Sequence, residues 1–96
     1  MQEQTWKVIE DWAKKNERVH DKRTVFPHLV EEVGELAREY NNSLNNWREE
    51  FDKEKFSKEL VDVITHCLLL AQDFEVDIDE VFKKKMIDWR KRFNLS

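Results

Sequence analysis

The stretch LVEEVGELAREY, residues 29–40, predicts an amphipathic helix with an unusual polar edge. At about 100° per residue, apolar side chains form one stripe along this helix, and polar side chains form a second stripe directly beside it. The apolar stripe comprises Leu29, Val33, Leu36, Ala37 and Tyr40, and the polar stripe comprises His28, Glu32, Glu35 and Glu39. The acids are therefore expected to border the core instead of pointing straight into solvent.

Helices are predicted on both sides of this stretch, because the chain has little turn chemistry. Its 96 residues include one glycine and one proline, which disfavours hairpins. We predict helices over about 5–18, 27–41, 53–74 and 78–93, with a short helical or irregular piece near 47–51. Thr5 and Asp77 are the expected N-caps of the first and fourth helices, and Pro27 suits the first turn of the second. The sequence predicts an all-α four-helix bundle forming one domain over residues 1–96, with the second and third helices antiparallel.

A second acidic pair lies on the predicted third helix. Its apolar stripe comprises Phe56, Leu60, Val63, Ile64, Cys67, Leu68 and Ala71, and Glu59, Asp62 and His66 run along the edge. Residues three apart on a helix are surface neighbours, so two packed helices could bring four carboxylates together. Such a group needs a cation or bound protons, and all-oxygen ligands favour a hard ion such as Mg²⁺. The spacing indicates phosphate chemistry, and solvated surface acids are the alternative.

Two further positions are unusual for their place in a helix. Lys85 falls inside the apolar stripe of the fourth helix, and Arg92 lies at its edge. Either the lysine stem extends along the surface to solvent, or both cations project over the acids and hold a substrate phosphate. Gly34 costs about 1 kcal/mol relative to alanine inside a helix. Either the missing side chain of Gly34 lets a helix or a ligand approach the backbone, or the glycine has no role and is merely tolerated.

Composition limits the partners and the location of the protein. The chain has 17 basic and 21 acidic residues, so its charge does not indicate that it binds a nucleic-acid polymer. Cys67 is the single cysteine, and its apolar surroundings predict a buried, inert thiol in a reducing cytoplasm. The start of the chain has no signal-peptide core, and Asp62 and His66 interrupt the longest apolar stretch. We expect a soluble, cytoplasmic protein with no membrane partner.

The acidic pairs form part of a longer pattern. EEVGELA at 31–37 and ELVDV at 59–63 together resemble the ExxE, spacer, ExxD signature of the MazG-like all-α nucleoside triphosphate pyrophosphohydrolases. KKKMIDWRKRF at 83–93 is similar to the closing helix of that family, and the resemblance covers about residues 25–93. It implies a helical homodimer or homotetramer that cleaves a nucleoside triphosphate to the monophosphate and pyrophosphate with Mg²⁺, for which Mn²⁺ is a possible substitute.

Carried over residue by residue, the resemblance implies a set of site residues. The metal ligands would be Glu32, Glu35, Glu59 and Asp62. Lys85 and Arg92 would contact phosphate, with Lys85 neutralising the pyrophosphate leaving group. Either Glu31 or Glu35 would orient the attacking water. HDKRT at 20–24 resembles a substrate-binding segment of members acting on deoxycytidine nucleotides, which makes His20 and Arg23 candidate contacts, although Thr24 replaces the usual asparagine.

Two departures from the family pattern bear on substrate preference. Trp89 stands where an asparagine is common, and His66 stands where a tyrosine or similar residue often follows. His66 and His28 are candidate pocket residues, with ordinary surface placement as the alternative. Base and sugar preference therefore cannot be carried over from the family. A noncatalytic helical interaction module with a cation-binding acidic margin is the competing function.

Overall fold

The computed structural model of the protein describes residues 3–16, 22–44 and 50–96, apart from the side chains of Trp6, Ala13, Asn16, Lys22 and Arg23. Within these ranges the backbone forms four α-helices and no strand. The helices are α1 (Glu3–Asn16), α2 (Lys22–Asn41), α3 (Lys53–Asp73) and α4 (Ile78–Arg92). The all-α prediction is confirmed for this part of the chain. The predicted piece near 47–51 falls mostly outside the described residues.

Side-chain caps set the N-termini of α3 and α4. The Asp52 carboxylate accepts hydrogen bonds from the backbone N–H groups of Glu54 at 3.0 Å and Lys55 at 3.2 Å. Asp77 accepts one from the N–H of Glu80 at 3.2 Å, as predicted. Each cap satisfies donors that the first turn of a helix leaves without an internal partner. These local signals explain why both helices begin where the sequence indicates.

The C-termini of α3 and α4 are closed without glycine. Glu75 and Asn94 adopt left-handed backbone conformations, with φ of 55° and 53°. After α3, the N–H of Val76 donates to the carbonyl of Ala71 at 2.9 Å, and the N–H of Leu95 makes the equivalent bond after α4 at 2.9 Å. This Schellman arrangement satisfies carbonyls of the last turn and reverses the chain direction. A glycine-poor chain thereby still ends its helices sharply.

The start of α2 differs from the prediction. The helix begins at Lys22, so Pro27 lies inside it and not in its first turn. An internal proline removes one backbone donor and crowds the carbonyl four residues earlier. The extra turn is held by packing, because Val25 is 1% exposed and contacts Leu69, which is 3% exposed. The predicted cap at Thr5 is also wrong, since α1 already begins at Glu3.

The predicted apolar stripes of α2 and α3 are partly exposed, and none of their residues is fully buried. Val33 on α2 is 47% exposed, and Ile64 on α3 is 46% exposed. Cys67 is exposed as well, so the prediction of a buried thiol is wrong. α2 and α3 make the most extensive helix contact among the described residues. The half-buried residues of these two helices include Glu32 and Glu59 as well as members of the apolar stripes such as Leu36 and Val63.

Gly34 also lies on an outward face of α2. A Cβ built at this position would meet nothing within 4 Å. Among the described residues of this chain nothing approaches the glycine backbone closely, so the structure gives no support to the first of the two alternatives for Gly34. None of the described helices combines the length and apolar character that a membrane span requires.

α4 makes no more than marginal contact with the other helices in the described ranges. None of its residues is buried. Its apolar row remains exposed and comprises Val81, Phe82, Met86, Trp89 and Phe93. The whole chain exposes 8328 Å², whereas a compact monomer of 11.8 kDa would expose about 5,900 Å². The radius of gyration of 16.3 Å likewise exceeds the value of about 12.5 Å for a compact domain of this length.

Candidate functional site

Carboxylates from two helices meet where α2 packs against α3. One carboxylate oxygen from each of Glu32, Glu59 and Asp62 lies within 4.8 Å of the others. We call these three residues the acidic cluster. α2 supplies Glu32, and α3 supplies the other two from adjacent positions on one helix edge, so the cluster depends on the packing of both helices. The acidic pairs that the sequence places on α2 and α3 thus both contribute to the acidic cluster.

The acidic cluster has the chemistry of a cation site. Oε2 of Glu32 and Oε2 of Glu59 are buried and have no hydrogen-bond partner in the structure. A buried carboxylate oxygen without a donor is unfavourable unless a cation, a proton or water compensates it. The donor set consists entirely of carboxylate oxygens, the ligands that suit Mg²⁺ and Mn²⁺. The residues therefore fit a hard divalent ion that keeps water in the rest of its shell.

Glu35 adjoins the acidic cluster from α2. Its carboxylate repels the carboxylates of both Glu32 and Glu59. Glu35 is itself exposed, which places it between the cluster and solvent.

The pKa values of Glu32 and Glu59 are raised, so these two side chains hold protons more tightly than ordinary glutamates do. Desolvation is the main cause that raises the pKa of Glu59 from 4.5 to about 7, and repulsion from Glu35 is the next. Desolvation also raises the pKa of Glu32, followed by repulsion from Glu35 and Asp62, while His66 opposes the shift. Both effects disfavour the charged form. Near pH 7, Glu59 of the metal-free protein is therefore partly protonated.

Metal-free protein is expected to lose stability as pH rises from about 4.5 to about 7. In this window folded Glu59, with its pKa raised to about 7, keeps a proton that the unfolded chain has released. The raised pKa of Glu32 acts in the same direction. Mg²⁺ should raise the melting temperature more at pH 8 than at pH 5.5, because protons and metal compete for the same oxygens. Thermal unfolding with EDTA and with Mg²⁺ at both pH values measures this.

The opposite pH trend would contradict this electrostatic account. Suppose that metal-free protein became more stable from pH 5.5 to pH 8. The favourable interactions of the ionised carboxylates with their surroundings would then outweigh their desolvation cost. An equal Mg²⁺ shift at both pH values would show that the ion binds away from the titrating acids. Glu54→Gln is a suitable control, since Glu54 is exposed on α3 in an ion pair with Lys58 at 3.5 Å and should leave both trends unchanged.

His66 lies at the edge of the acidic cluster. Its Nδ1 is 2.7 Å from the main-chain oxygen of Asp62, and because a carbonyl can only accept, Nδ1 donates this bond. His66 also lowers the pKa of Glu32 by favourable charge interaction. His28 is half-buried one turn before Glu32 on α2. Both histidines are thus on the side of the helices that carries the acids, and their substrate-binding roles stay predictions.

The structure does not bring the predicted phosphate contacts onto the acidic cluster of the same chain. Lys85 and Arg92 are exposed on α4. Lys85 Nζ lies 6.0 Å from the centroid of the Trp89 ring, a cation–π distance. The ion pairs recorded among the described residues join Lys58 to Glu54 and Lys83 to Glu80, and neither involves Lys85 or Arg92.

Three other predicted site residues lie outside the acidic cluster or outside the part of the chain that the structure describes. Glu31 is exposed on α2 and is not among the three residues whose oxygens converge. His20 lies outside the described residues, and for Arg23 only the backbone within α2 is described. Their roles in orienting water or contacting substrate therefore stay predictions.

A separate cavity of about 340 Å³ lies between α1, the second half of α3 and the start of α4. It is lined by Ile9, Glu10, Lys14, Leu68, Ala71, Gln72, Glu75, Val76 and Ile78, none of which is a predicted site residue. Its Gln72 Oε1 is buried without a hydrogen-bond partner. Sequence reasoning missed this feature, because a glutamine in a helix carries no distinctive signal. The cavity holds no cluster of titratable groups comparable to the acidic cluster.

Comparison with known proteins identifies the family of the chain. The MazG nucleotide pyrophosphohydrolase domain matches residues 20–93. The matched range contains α2, α3 and α4, and therefore includes the acidic cluster and Glu35. No curated protein and no solved structure matches the chain. Since the domain match covers most of the sequence, the chain belongs to the family of MazG nucleotide pyrophosphohydrolase domains.

Proposed function

We propose that the protein is a Mg²⁺-dependent nucleotide pyrophosphohydrolase that cleaves ribo- or deoxynucleoside triphosphates, in the manner of a house-cleaning enzyme. The observation that carries this proposal is the convergence of Glu32, Glu59 and Asp62 within 4.8 Å, inside the range matched by the MazG domain. Family membership supplies the reaction class. The acidic cluster supplies the residues that would perform it.

The reaction adds one water across the anhydride bond between the α- and β-phosphates. That phosphorus–oxygen bond breaks, a bond from the water oxygen to phosphorus forms, and the products are a nucleoside monophosphate and pyrophosphate. Glu32, Glu35, Glu59 and Asp62 would hold the metal, and Mn²⁺ has the same ligand preference. When bound, Mg²⁺ would neutralise charge on the phosphates and lower the pKa of a bound water.

The remaining roles belong to side chains around the acidic cluster. Glu35 is the preferred group for orienting the attacking water, because it is exposed yet close enough to the cluster to repel Glu59, and Glu31 is the alternative. Lys85 and Arg92 would neutralise the developing charge on pyrophosphate. The predicted contacts to the rest of the nucleotide are His66, His28, His20 and Arg23.

The proposal includes assembly with identical copies, as a homodimer or homotetramer. The chain exposes about 2,400 Å² more than a compact monomer of its mass would. An obligate homodimer buries about 1,000 to 2,500 Å² on each partner, which is the same range. Antiparallel packing of α2 and α3, a single domain over residues 1–96 and a cytoplasmic location are further parts of the proposal.

Pyrophosphate release across a panel of ribo- and deoxynucleoside triphosphates with Mg²⁺ tests this function. Wild-type protein should release pyrophosphate from at least one triphosphate, and EDTA should abolish release. Glu35→Gln and Asp62→Asn should each reduce release by roughly 100-fold, while Glu54→Gln on the exposed face of α3 should match wild type. Folding of every variant is checked by circular dichroism.

Two results would contradict the proposed enzymatic activity. In the first, wild-type protein releases no pyrophosphate from any triphosphate. In the second, both site variants remain folded and fully active. Thermal stabilisation by Mg²⁺ without any hydrolysis would instead favour the noncatalytic module with a cation-binding margin, since a ligand bound only to the folded state raises its melting temperature.

A further inference from the structure

Lys85 and Trp89 lie one turn apart on the same face of α4. Residues four apart on a helix are neighbours, and helical side chains lean toward the N-terminus, so the ring at position 89 is directed toward position 85. Lys85 Nζ lies over the Trp89 ring, 6.0 Å from its centroid, which is a cation–π distance. The ammonium group therefore stays beside the indole ring instead of extending away from the helix.

An aromatic ring orients a lysine without neutralising its charge. A carboxylate partner would compete with an incoming phosphate for the ammonium group, whereas a ring face leaves the full positive charge in place. Among the described residues, the recorded ion pair of α4 joins Lys83 to Glu80 and does not involve Lys85. The ammonium group has three N–H donors. The contact with the ring therefore leaves Lys85 able to bind an anion.

Restricting Lys85 matters because lysine has one of the most mobile side chains. Its long stem has several rotatable bonds, and fixing them has an entropic cost when the lysine binds an anion. Lys85 is exposed, and Trp89 is 37% exposed, so packing in the described part of the chain does not fix the lysine. The ring supplies this restriction instead, and part of the ordering is complete before an anion binds.

We propose that Trp89 is a positioning residue that holds the Lys85 ammonium group ready for the pyrophosphate end of the substrate. This inference rests on the proposed function, in which Lys85 contacts phosphate. Trp89 stands where an asparagine is common in the family pattern, so the ring is a property of this chain. Because Trp89 acts through the lysine and does not itself touch the nucleotide, it promotes hydrolysis of all substrate triphosphates alike.

A double-mutant cycle on kcat/KM tests whether the two side chains act together. Trp89→Leu should lower kcat/KM by roughly 2- to 30-fold, which corresponds to a cation–π contact of about 0.5 to 2 kcal/mol. Lys85→Met should lower it by roughly 100-fold. Trp89→Leu should cause no further loss when it is added to Lys85→Met, because the ring then has no ammonium group to hold.

Two further variants separate positioning from packing. Trp89→Phe keeps an aromatic face and should recover part of the loss seen with Trp89→Leu. Ile87→Ala shortens an exposed apolar side chain about 160° away around α4 and should match wild type. The NMR signals of the Lys85 ε-methylene protons report the contact independently of activity. The indole ring should shift these signals upfield in wild type, and Trp89→Leu should abolish the shift.

Three results would overturn the positioning role. Trp89→Leu could keep full kcat/KM, or it could cause the same loss with and without Lys85, which would show that the ring acts through packing. A loss confined to triphosphates of one base would show that Trp89 stacks on the nucleotide. Each of these results requires that wild-type protein hydrolyses triphosphates, so the proposed function would still stand. Wild-type protein without hydrolysis would instead reject the proposed function, and the inference with it.

Discussion

Glu59→Gln is expected to lose activity while making the metal-free protein more stable at pH 8. The carboxylate has a buried oxygen without a hydrogen-bond partner, and desolvation raises its pKa to about 7. Above that pH its charge opposes folding, and the neutral amide removes this repulsion. Activity should fall by roughly 100-fold or more, because changes even to groups that support metal ligands cost about 10- to 100-fold.

A loss of activity combined with a gain in metal-free stability distinguishes an acid that serves function from one that stabilises the fold. Melting temperatures of wild type and Glu59→Gln in EDTA should differ at pH 8 and converge at pH 5, where wild-type Glu59 is protonated. Glu54→Gln, on the exposed surface of the same helix, should change neither activity nor the pH trend. A lower melting temperature of Glu59→Gln at pH 8 without metal would mean that the charge stabilises the fold, and the site assignment would lose its physical basis.

Local signals in the sequence predicted the last two helices well. Asp77 supplies a cap within three residues of the donor it serves, and α4 ends one residue before the predicted boundary. Such interactions depend only on neighbouring residues, so they can be identified without a tertiary structure. The start of α2 could not be predicted in this way. It depends on the burial of Val25 against Leu69, a contact between residues far apart in sequence.

The spacing of the acids was predictable, and their environment was not. Glu59 and Asp62 are three residues apart, so helix geometry alone makes them neighbours. Their meeting with Glu32 depends on how far each helix is rotated in the α2–α3 contact. The raised pKa of Glu59 depends on the resulting desolvation. A one-dimensional pattern contains neither the rotation nor the burial.

The main error of the sequence interpretation concerned the surface against which the apolar stripes pack. Helical periodicity identifies an apolar face, but a face that packs against another copy has the same pattern as one that packs inside the chain. Ile64 and Cys67 were therefore expected in the core, and both are exposed. The same ambiguity applies to α4, whose apolar row contains Phe82. This position gives the most direct test of whether copies associate.

Phe82→Asp is expected to separate the copies and to reduce helix content. Phe82 belongs to the exposed apolar row of α4, and a carboxylate covered by a partner there would lose water without gaining a hydrogen-bond partner, at a cost of several kcal/mol. Once uncovered, α4 is too short to remain fully helical alone. Sedimentation velocity should therefore show mainly monomer, with lower far-UV helicity and, if assembly completes the site, little pyrophosphate release.

The matched control is Phe82→Leu, which keeps an apolar side chain at the same position. It should retain wild-type sedimentation and helicity, with only the modest destabilisation expected from a smaller side chain. If Phe82→Asp sediments like wild type and keeps its helix content, the apolar row of α4 does not form an interface between copies. Because an exposed phenylalanine on a helix with solvent on all sides should tolerate aspartate, the contrast between the two variants isolates burial by a partner from any effect of losing the ring.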